Sequence, residues 1–204
     1  MNKLIIQDVS FERNNQLLFS GINCSLQSGE LLQIIGTNGS GKSTLLRILA
    51  GYLEPLSGII SWQDESIFAQ DEYQQQLHYL GHQNGIKPYL TVAENCHLYC
   101  ALTRHNIEID FALKKMGLSS IKHQQALRLS AGQLRRLALA RLLIKSAHLW
   151  ILDEPTTALD LEGQHLFAEL LQQHLKQGGL AILSSHQDLH LPFTQQLRLG
   201  RQHV

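Results

Sequence analysis

No stretch of this 204-residue chain is apolar for the roughly eighteen residues that a membrane-crossing helix needs. Any work at a bilayer is therefore expected to go through a partner. An excess of charge of one sign is also missing: 17 Lys and Arg balance 17 Asp and Glu, a formal net charge of zero with histidine neutral. A general nucleic-acid binder would carry a basic surplus, so no nucleic-acid partner is expected. Cysteine is scarce. Cys24, Cys96 and Cys100 are too few and too irregular for a disulfide framework, which suits a reducing cytosol. Cys96 and Cys100 would share a helix face beside His97, yet no second ligand pair stands at the spacing a metal site requires. The eleven histidines are scattered, no Cys-x-x-Cys-His motif occurs, and most read as solvated. Repeats and low-complexity tracts are lacking, and Gln74-Gln75-Gln76 reads as loop. The start, Met1 to Asp8, turns polar too soon for a signal peptide. With a short tail after His186, no regulatory domain is expected there.

What is present is an alternation of strand and helix patterns. Leu4 to Phe11 and Leu17 to Leu26 read as strands separated by the polar turn Arg13-Asn14-Asn15-Gln16. After Gly29-Glu30 comes Leu31-Leu32-Gln33-Ile34-Ile35, whose near-continuous apolarity suits a buried parallel strand. A helix through Leu45, Leu46, Ile48, Leu49 and Ala50 follows, ended by Gly51. Short strands are expected at Gly58 to Trp62 and His78 to Leu80. From about Tyr89 to Ile144 the periodicity is helical, with Leu98, Leu102, Phe111, Leu113 and Met116 in step. Strands return at His148 to Leu152 and Leu180 to Leu183. Between them lies a helix carrying Leu166, Phe167, Leu170, Leu171 and Leu175, closed by Gly178-Gly179. The expected fold is one α/β domain spanning 1–204. Its core, about 1–88 and 145–204, would be a mostly parallel sheet with an antiparallel N-terminal edge; about 89–144 would be an inserted helical lobe.

The chemistry sits in three segments. Gly36-Thr37-Asn38-Gly39-Ser40-Gly41-Lys42-Ser43-Thr44 fits G-x-x-x-x-G-K-[ST] between a predicted strand and a predicted helix, the context that confirms a phosphate loop. Its glycines let backbone wrap phosphates, and the helix start adds partial positive charge. Lys42 is expected on the β- and γ-phosphates of ATP and Ser43 on Mg²⁺. Second, the apolar Leu149-Trp150-Ile151-Leu152 ends in Asp153-Glu154-Pro155, which places carboxylates at the C-terminal end of a buried strand beside that loop. Asp153 suits Mg²⁺ coordination, direct or through water. Third, Leu129-Ser130-Ala131-Gly132-Gln133 opens a helix. Ser130 would cap it, and its hydroxyl, the Gly132 amide and Gln133 would form an anion-binding start. One fold cannot aim this second phosphate-facing surface at its own nucleotide, so two copies are expected to close each other's sites.

With these three segments in this order the chain resembles the ABC ATPases, the nucleotide-binding subunits of ATP-driven transporters. The resemblance implies that Glu154 polarises the attacking water. It makes Gln83 the glutamine that senses Mg²⁺ and His186 the switch histidine near the γ-phosphate. Ala158-Leu159-Asp160 would be the short loop that crosses an ATP-sandwich dimer. Two departures stand out. Ala131 replaces a glycine of the usual Leu-Ser-Gly-Gly-Gln, a tolerable methyl at a helix start. Arg13 stands where an aromatic ring usually stacks on adenine; a guanidinium can stack on a purine too, while Phe11 continues the strand's alternation and reads as core. A finer resemblance, to the ABC ATPases of bacterial cytochrome c maturation, lies in Gly81 to Lys87, Leu129 to Arg136, Leu149 to Pro155 and Ser185-His186-Gln187. It implies a membrane subunit resembling CcmB, other cytochrome c maturation proteins as partners, haem delivery or release as the task, and the cytoplasmic face of the bacterial inner membrane as the place. A soluble ABC ATPase that remodels a complex would look alike in the core. A DNA-repair ATPase would need a coiled coil or basic groove, and a small-molecule kinase has no use for the Ser130 surface.

Overall fold

The structure is a computed structural model that describes residues 2–69, 72–103, 108–185 and 195–200. It begins with a hairpin of β1 (Lys3–Arg13) and β2 (Gln16–Gln27). Asn14 and Asn15 take φ of 52° and 58°, the pair of left-handed residues that fits a tight turn to the strand twist. β4 (Ser57–Trp62) pairs with β1, and the two-residue β5 (Glu65–Ser66) pairs with β4, giving an antiparallel sheet in the order β2-β1-β4-β5. Leu4, Ile6, Val9, Ile60 and Trp62 point to one side and are buried.

The second sheet is parallel throughout, in the order β6-β7-β8-β3-β9. Its strands are β3 (Leu31–Gly36), β6 (Leu77–Leu80), β7 (Leu149–Asp153), β8 (Leu180–Ser185) and β9 (Gln195–Leu199). Every residue of β7 and β8 is buried, as a strand covered on both faces requires. α1 (Lys42–Leu49) packs on β3, β7 and β8 through a face containing Leu45, Leu46, Ile48 and Leu49. The apolar face of the antiparallel sheet joins the same core, where Leu4, Ile6 and Trp62 cluster with Leu32, Ile34, Ile151 and Ile182. β5 and β9 are absent from the sequence expectations. β5 is too short to show a pattern, and β9 is an edge strand whose Gln195, Gln196 and Arg198 mask its two leucines.

Cα packing divides the chain into two compact units, residues 1–81 with 147–154 and 172–204, and residues 82–146 with 155–171. Both sheets and α1 lie in the first. The second holds α2 (Val92–Thr103), α3 (Ile109–Lys115), α4 (Ala131–Ile144) and the start of α5 (Leu161–Lys176). Thr91 and Glu94 cap α2 reciprocally: the Thr91 amide donates to the carboxylate (2.7 Å) and the Glu94 amide to the Thr91 hydroxyl (3.1 Å). α2 and α3 pack on α4, whose Leu137, Ala138, Leu139, Ala140, Leu142 and Ile144 are all buried. Among the described residues no helix is long and apolar enough to cross a membrane.

Candidate functional site

β3 delivers Gly36 and α1 begins at Lys42, so the intervening residues form the strand-to-helix loop that the motif predicts. The N-cap is Gly41 at φ 98°, with no side-chain cap and no acidic residue in the first turn. A left-handed N-cap without a capping side chain leaves the helix start to whatever anion arrives. Lys42 is 6% exposed and folds across its own loop, its Nζ donating to the carbonyls of Gly36 (2.8 Å) and Thr37 (3.1 Å). Thr37, Asn38, Gly39 and Ser43 are exposed and Thr44 half-buried, whereas the hydroxyl of Ser40 is buried without a hydrogen-bond partner. A buried orphan hydroxyl inside a loop that closes on itself is the kind of polar vacancy a phosphate oxygen satisfies. The hairpin reaches this loop as well. A Cβ on Gly41 would stand 3.0 Å from Cδ1 of Phe19, and Phe19 opposes Phe11 in register, with the rings stacked at 6.2 Å. Phe11 therefore packs into the core side, and Arg13 lies exposed at the end of β1 two residues further on.

The sheet register brings the carboxylates to the same edge. Asp153 pairs with Ser184, and Ser184 with Ile34, so one row of the sheet runs from the carboxylate to β3 two residues before Gly36. Asp153 is buried and accepts a 2.6 Å hydrogen bond from the Ser184 hydroxyl, whose own oxygen accepts from the Glu154 amide at 2.9 Å. Ser184 thus locks the orientation of both neighbours. Glu154 takes φ 49°, a left-handed conformation that costs a non-glycine residue ~1–3 kcal/mol and persists only where the surroundings impose it. Its side chain is half-buried, at the point where the chain leaves the sheet. Asp153 and the Ser43 hydroxyl are hard oxygen donors of the type Mg²⁺ prefers.

The second unit assembles the third segment. Ser130, at φ −65° and ψ 161°, caps α4 in a full capping box: its hydroxyl accepts from the Gln133 amide (3.2 Å), and the Gln133 side chain accepts from the Ser130 amide (2.9 Å). Accepting that bond leaves the hydroxyl proton available to donate outward. Ala131 is exposed as the first residue of the helix, and the capping box at Ser130 forms with it in place. A cleft of about 370 Å³ gathers Ser130, Gly132, Gln133 and Asp160, four of the residues singled out from sequence, with Arg136 and Ala158. Gly132 is required there, since a Cβ would stand 2.9 Å from the Ala158 carbonyl oxygen. Ala158 itself takes φ 66°. Arg136 donates to Asp160 (2.6 Å) and Glu162 (2.9 Å), and these hydrogen bonds raise the guanidinium's pKa and lower that of Asp160. Asp160 also accepts from the Gly163 amide at 2.9 Å, the cap of α5.

Gln83 is exposed beyond β6, in the segment where the second unit starts, and His186 lies outside the described residues. Several residues that sequence reasoning passes over hold this framework. Arg135 donates to the Pro155 carbonyl and to Asn84, and Arg141 to the carbonyls of Asn84 and Gly85. Helical spacing could have flagged Arg136, four residues after Gly132 on the same face. Ser184 carries no such signal, because only strand pairing reveals what it faces.

The family model described as "ABC transporter" matches residues 19–157. The chain is 42% identical over 203 residues to the cytochrome c biogenesis ATP-binding export protein CcmA of Haemophilus influenzae, covering 98% of this chain and 96% of that protein. To the Escherichia coli K12 protein of the same name the identity is 43% over 194 residues, 94% of this chain and 92% of that one. Among solved structures, a putative ABC transporter ATP-binding protein from Pyrococcus furiosus superimposes with a TM-score of 0.85 at 26% identity, covering 97% of each chain. The structure of cbiO1 from Clostridium perfringens, described as part of the ABC transporter complex cbiONQ, follows at TM-score 0.74 and 26% identity over 90% and 78%.

Proposed function

The chain belongs to the ABC transporter family, and from that premise we propose that it is the ATP-hydrolysing subunit of an exporter that powers haem delivery or release for c-type cytochrome maturation. The observation that carries the proposal is the 42% identity spread over 98% of the chain to a cytochrome c biogenesis export ATPase. A match confined to the phosphate loop would support only nucleotide binding. The complex is proposed to contain a membrane subunit resembling CcmB, with other maturation proteins beside it, at the cytoplasmic face of the inner membrane. Within the chain, about 1–88 and 145–204 would act as the α/β core and about 89–144 as the helical lobe.

The residues then divide the work as follows. Lys42 leaves the Gly36 and Thr37 carbonyls for the β- and γ-phosphates, whose oxygens meet the α1 amides and the Ser40 hydroxyl. Ser43 and Asp153, with Gln83, would hold Mg²⁺, and the ion would supply charge neutralisation for the phosphoryl group. Arg13 stacks on the adenine. Glu154 accepts the proton of the attacking water as the bond from the γ-phosphorus to its bridging oxygen breaks. His186 steadies the γ-phosphate. Ser130, Gly132 and Gln133 face the nucleotide of a second copy, and Asp160 lies at the junction between the two.

Deleting the gene from its host tests the proposal. Haem-stained c-type cytochromes should disappear and return with the parent chain but not with Lys42→Ala. Parental cytochrome levels in the deletion strain, together with ATP hydrolysis and no copurifying membrane protein, would assign the chain instead to a soluble complex-assembly role.

A further inference from the structure

The chain passes between its two compact units after Gly81 and again after Glu154. Just inside the second unit, both crossings end on one side chain. The guanidinium of Arg135, 3% exposed, donates through Nε to the carbonyl oxygen of Pro155 (3.1 Å) and through Nη1 to Oδ1 of Asn84 (2.9 Å). Pro155 directly follows Glu154, and Asn84 directly follows Gln83. Arg141, one and a half turns further along α4, grips the same segment by its backbone, donating to the carbonyls of Asn84 (3.0 Å) and Gly85 (2.6 Å). Its guanidinium lies 5.2 Å from the Tyr99 ring centroid, a contact that fixes its direction.

This arrangement does more than neutralise a buried charge. A guanidinium presents its donors in one rigid plane, so two acceptors bound to it cannot shift independently. Proline has no N–H, which leaves the carbonyl as the only backbone handle on Pro155. The left-handed Glu154 before it needs restraint on both sides to keep its conformation. The Ser184 hydroxyl restrains its amide from one side, and Arg135 restrains the following residue from the other.

We propose that Arg135 is a positioning residue for hydrolysis: by holding Pro155 and Asn84 in one fork it ties to α4 the residues bonded directly to Glu154 and Gln83. The inference rests on the nucleotide roles proposed above for those two residues. α4 is capped by Ser130 and reaches Arg135 within two turns. Seating of the Ser130 end on a second copy's nucleotide is thereby felt at the residue next to the water-activating carboxylate.

The test uses the chain co-expressed with its membrane subunit for turnover, and displacement of trinitrophenyl-ATP by ATP for binding. In Arg135→Gln, which keeps an amide donor but loses the fork, kcat should fall by about 100-fold, the scale of a small misplacement of a catalytic group, with KM and ATP displacement held at parental values. Asn84→Ala should lose less, and the double variant should be no worse than Arg135→Gln, because both remove one shared contact. Parental kcat in Arg135→Gln, multiplied losses in the double variant, or ATP binding lost in proportion to kcat would each overturn the proposal. Should Arg135→Gln fail to fold, Asn84→Asp keeps the acceptor and should retain the kcat that Asn84→Ala loses; equal behaviour of the two would also overturn it. A parent complex that hydrolyses no ATP would instead defeat the nucleotide roles themselves.

Discussion

Two helices of this chain begin at surfaces assigned to phosphate, and they are built in opposite ways. α1 starts at Gly41, left-handed and without a side-chain cap, with Lys42 folded onto loop carbonyls and the Ser40 hydroxyl buried and unpartnered. α4 starts at Ser130 inside a complete capping box, beside a cleft stiffened by the bonds from Arg136 to Asp160 and Glu162. The first start has no side-chain cap, and the proposed phosphate would be the cap. The second is finished without any ligand and keeps its shape until one is presented to it. That difference suits the shared site proposed above, in which one half would bind and the other would be ready to dock.

The largest effect expected from this contrast is at the unfinished start. Lys42→Ala should abolish hydrolysis and greatly weaken nucleotide binding, since no other side chain in the loop carries charge to the phosphates. Steady-state phosphate release near the parental rate would refute the phosphate-loop assignment. Glu154→Gln separates grip from chemistry. It should bind ATP, lose roughly 10²–10⁴ in turnover for want of a proton acceptor, and elute as an ATP-bound dimer from a sizing column with Mg²⁺; a monomer at high protein concentration would speak against the sandwich.

The finished start is probed by mixing. Ser130→Arg should bind ATP at its own loop yet support no hydrolysis, because the added cation obstructs the opposite pocket. Combined with Lys42→Ala subunits, it places both lesions in one composite site and leaves the other intact. Recovered turnover, or retention of one ATP per dimer, is the expected outcome; the absence of both would mean that these residues do not meet across a dimer.

Acid should weaken the sheet that carries α1. His174 is stacked on Trp150 at 3.9 Å and bonded to the Leu180 carbonyl at 3.0 Å, and its pKa is pushed down to about 4, chiefly by burial, with His148 adding to the shift and the carbonyl opposing it. The unfolded chain takes up this proton near pH 6.5, the folded chain only near 4. Stability present above about pH 6.5 is therefore lost as pH falls toward 4, up to roughly 3 kcal/mol for a shift of this size. His174→Phe should flatten the melting temperature over that window, and an unchanged slope would exclude the residue. The smallest effect belongs to the cap. Ser130→Ala should cost about 1 kcal/mol in thermal stability while leaving ATP binding at its own loop untouched.

Much of this was legible in the sequence because strong local patterns sit where tertiary structure reinforces them. Leu31 to Ile35 and Leu149 to Leu152 read as buried strands since both faces of the parallel sheet are covered. The Ser130 cap could be read from Ser130 and Gln133 alone, because a capping box is local chemistry. What escaped depends on partners distant in sequence. Arg135 and Arg141 look like the charged face of a surface helix; that they clasp Asn84 and Gly85 follows only from α4 being enclosed on nearly all sides. Among histidines read mostly as solvated, His78 and His174 are buried. Nothing in the spacing of His174 announces that Trp150 and Leu180 will meet it.

The order of strands in the parallel sheet also has a consequence for how the chain is made. Among the described residues β3, which delivers the proposed phosphate loop, pairs with β8 and β9: Leu31 lies beside Ala181, and Gly36 beside Leu199. During synthesis β3 leaves the ribosome early and waits for the last two strands of the sheet to emerge. Until they do, its apolar edges have no native neighbour, and such waiting strands are where nascent chains aggregate. The ATP site is consequently a late product of translation, so a chain cut short before β9 would be expected to lose nucleotide binding even though every residue of the loop is present.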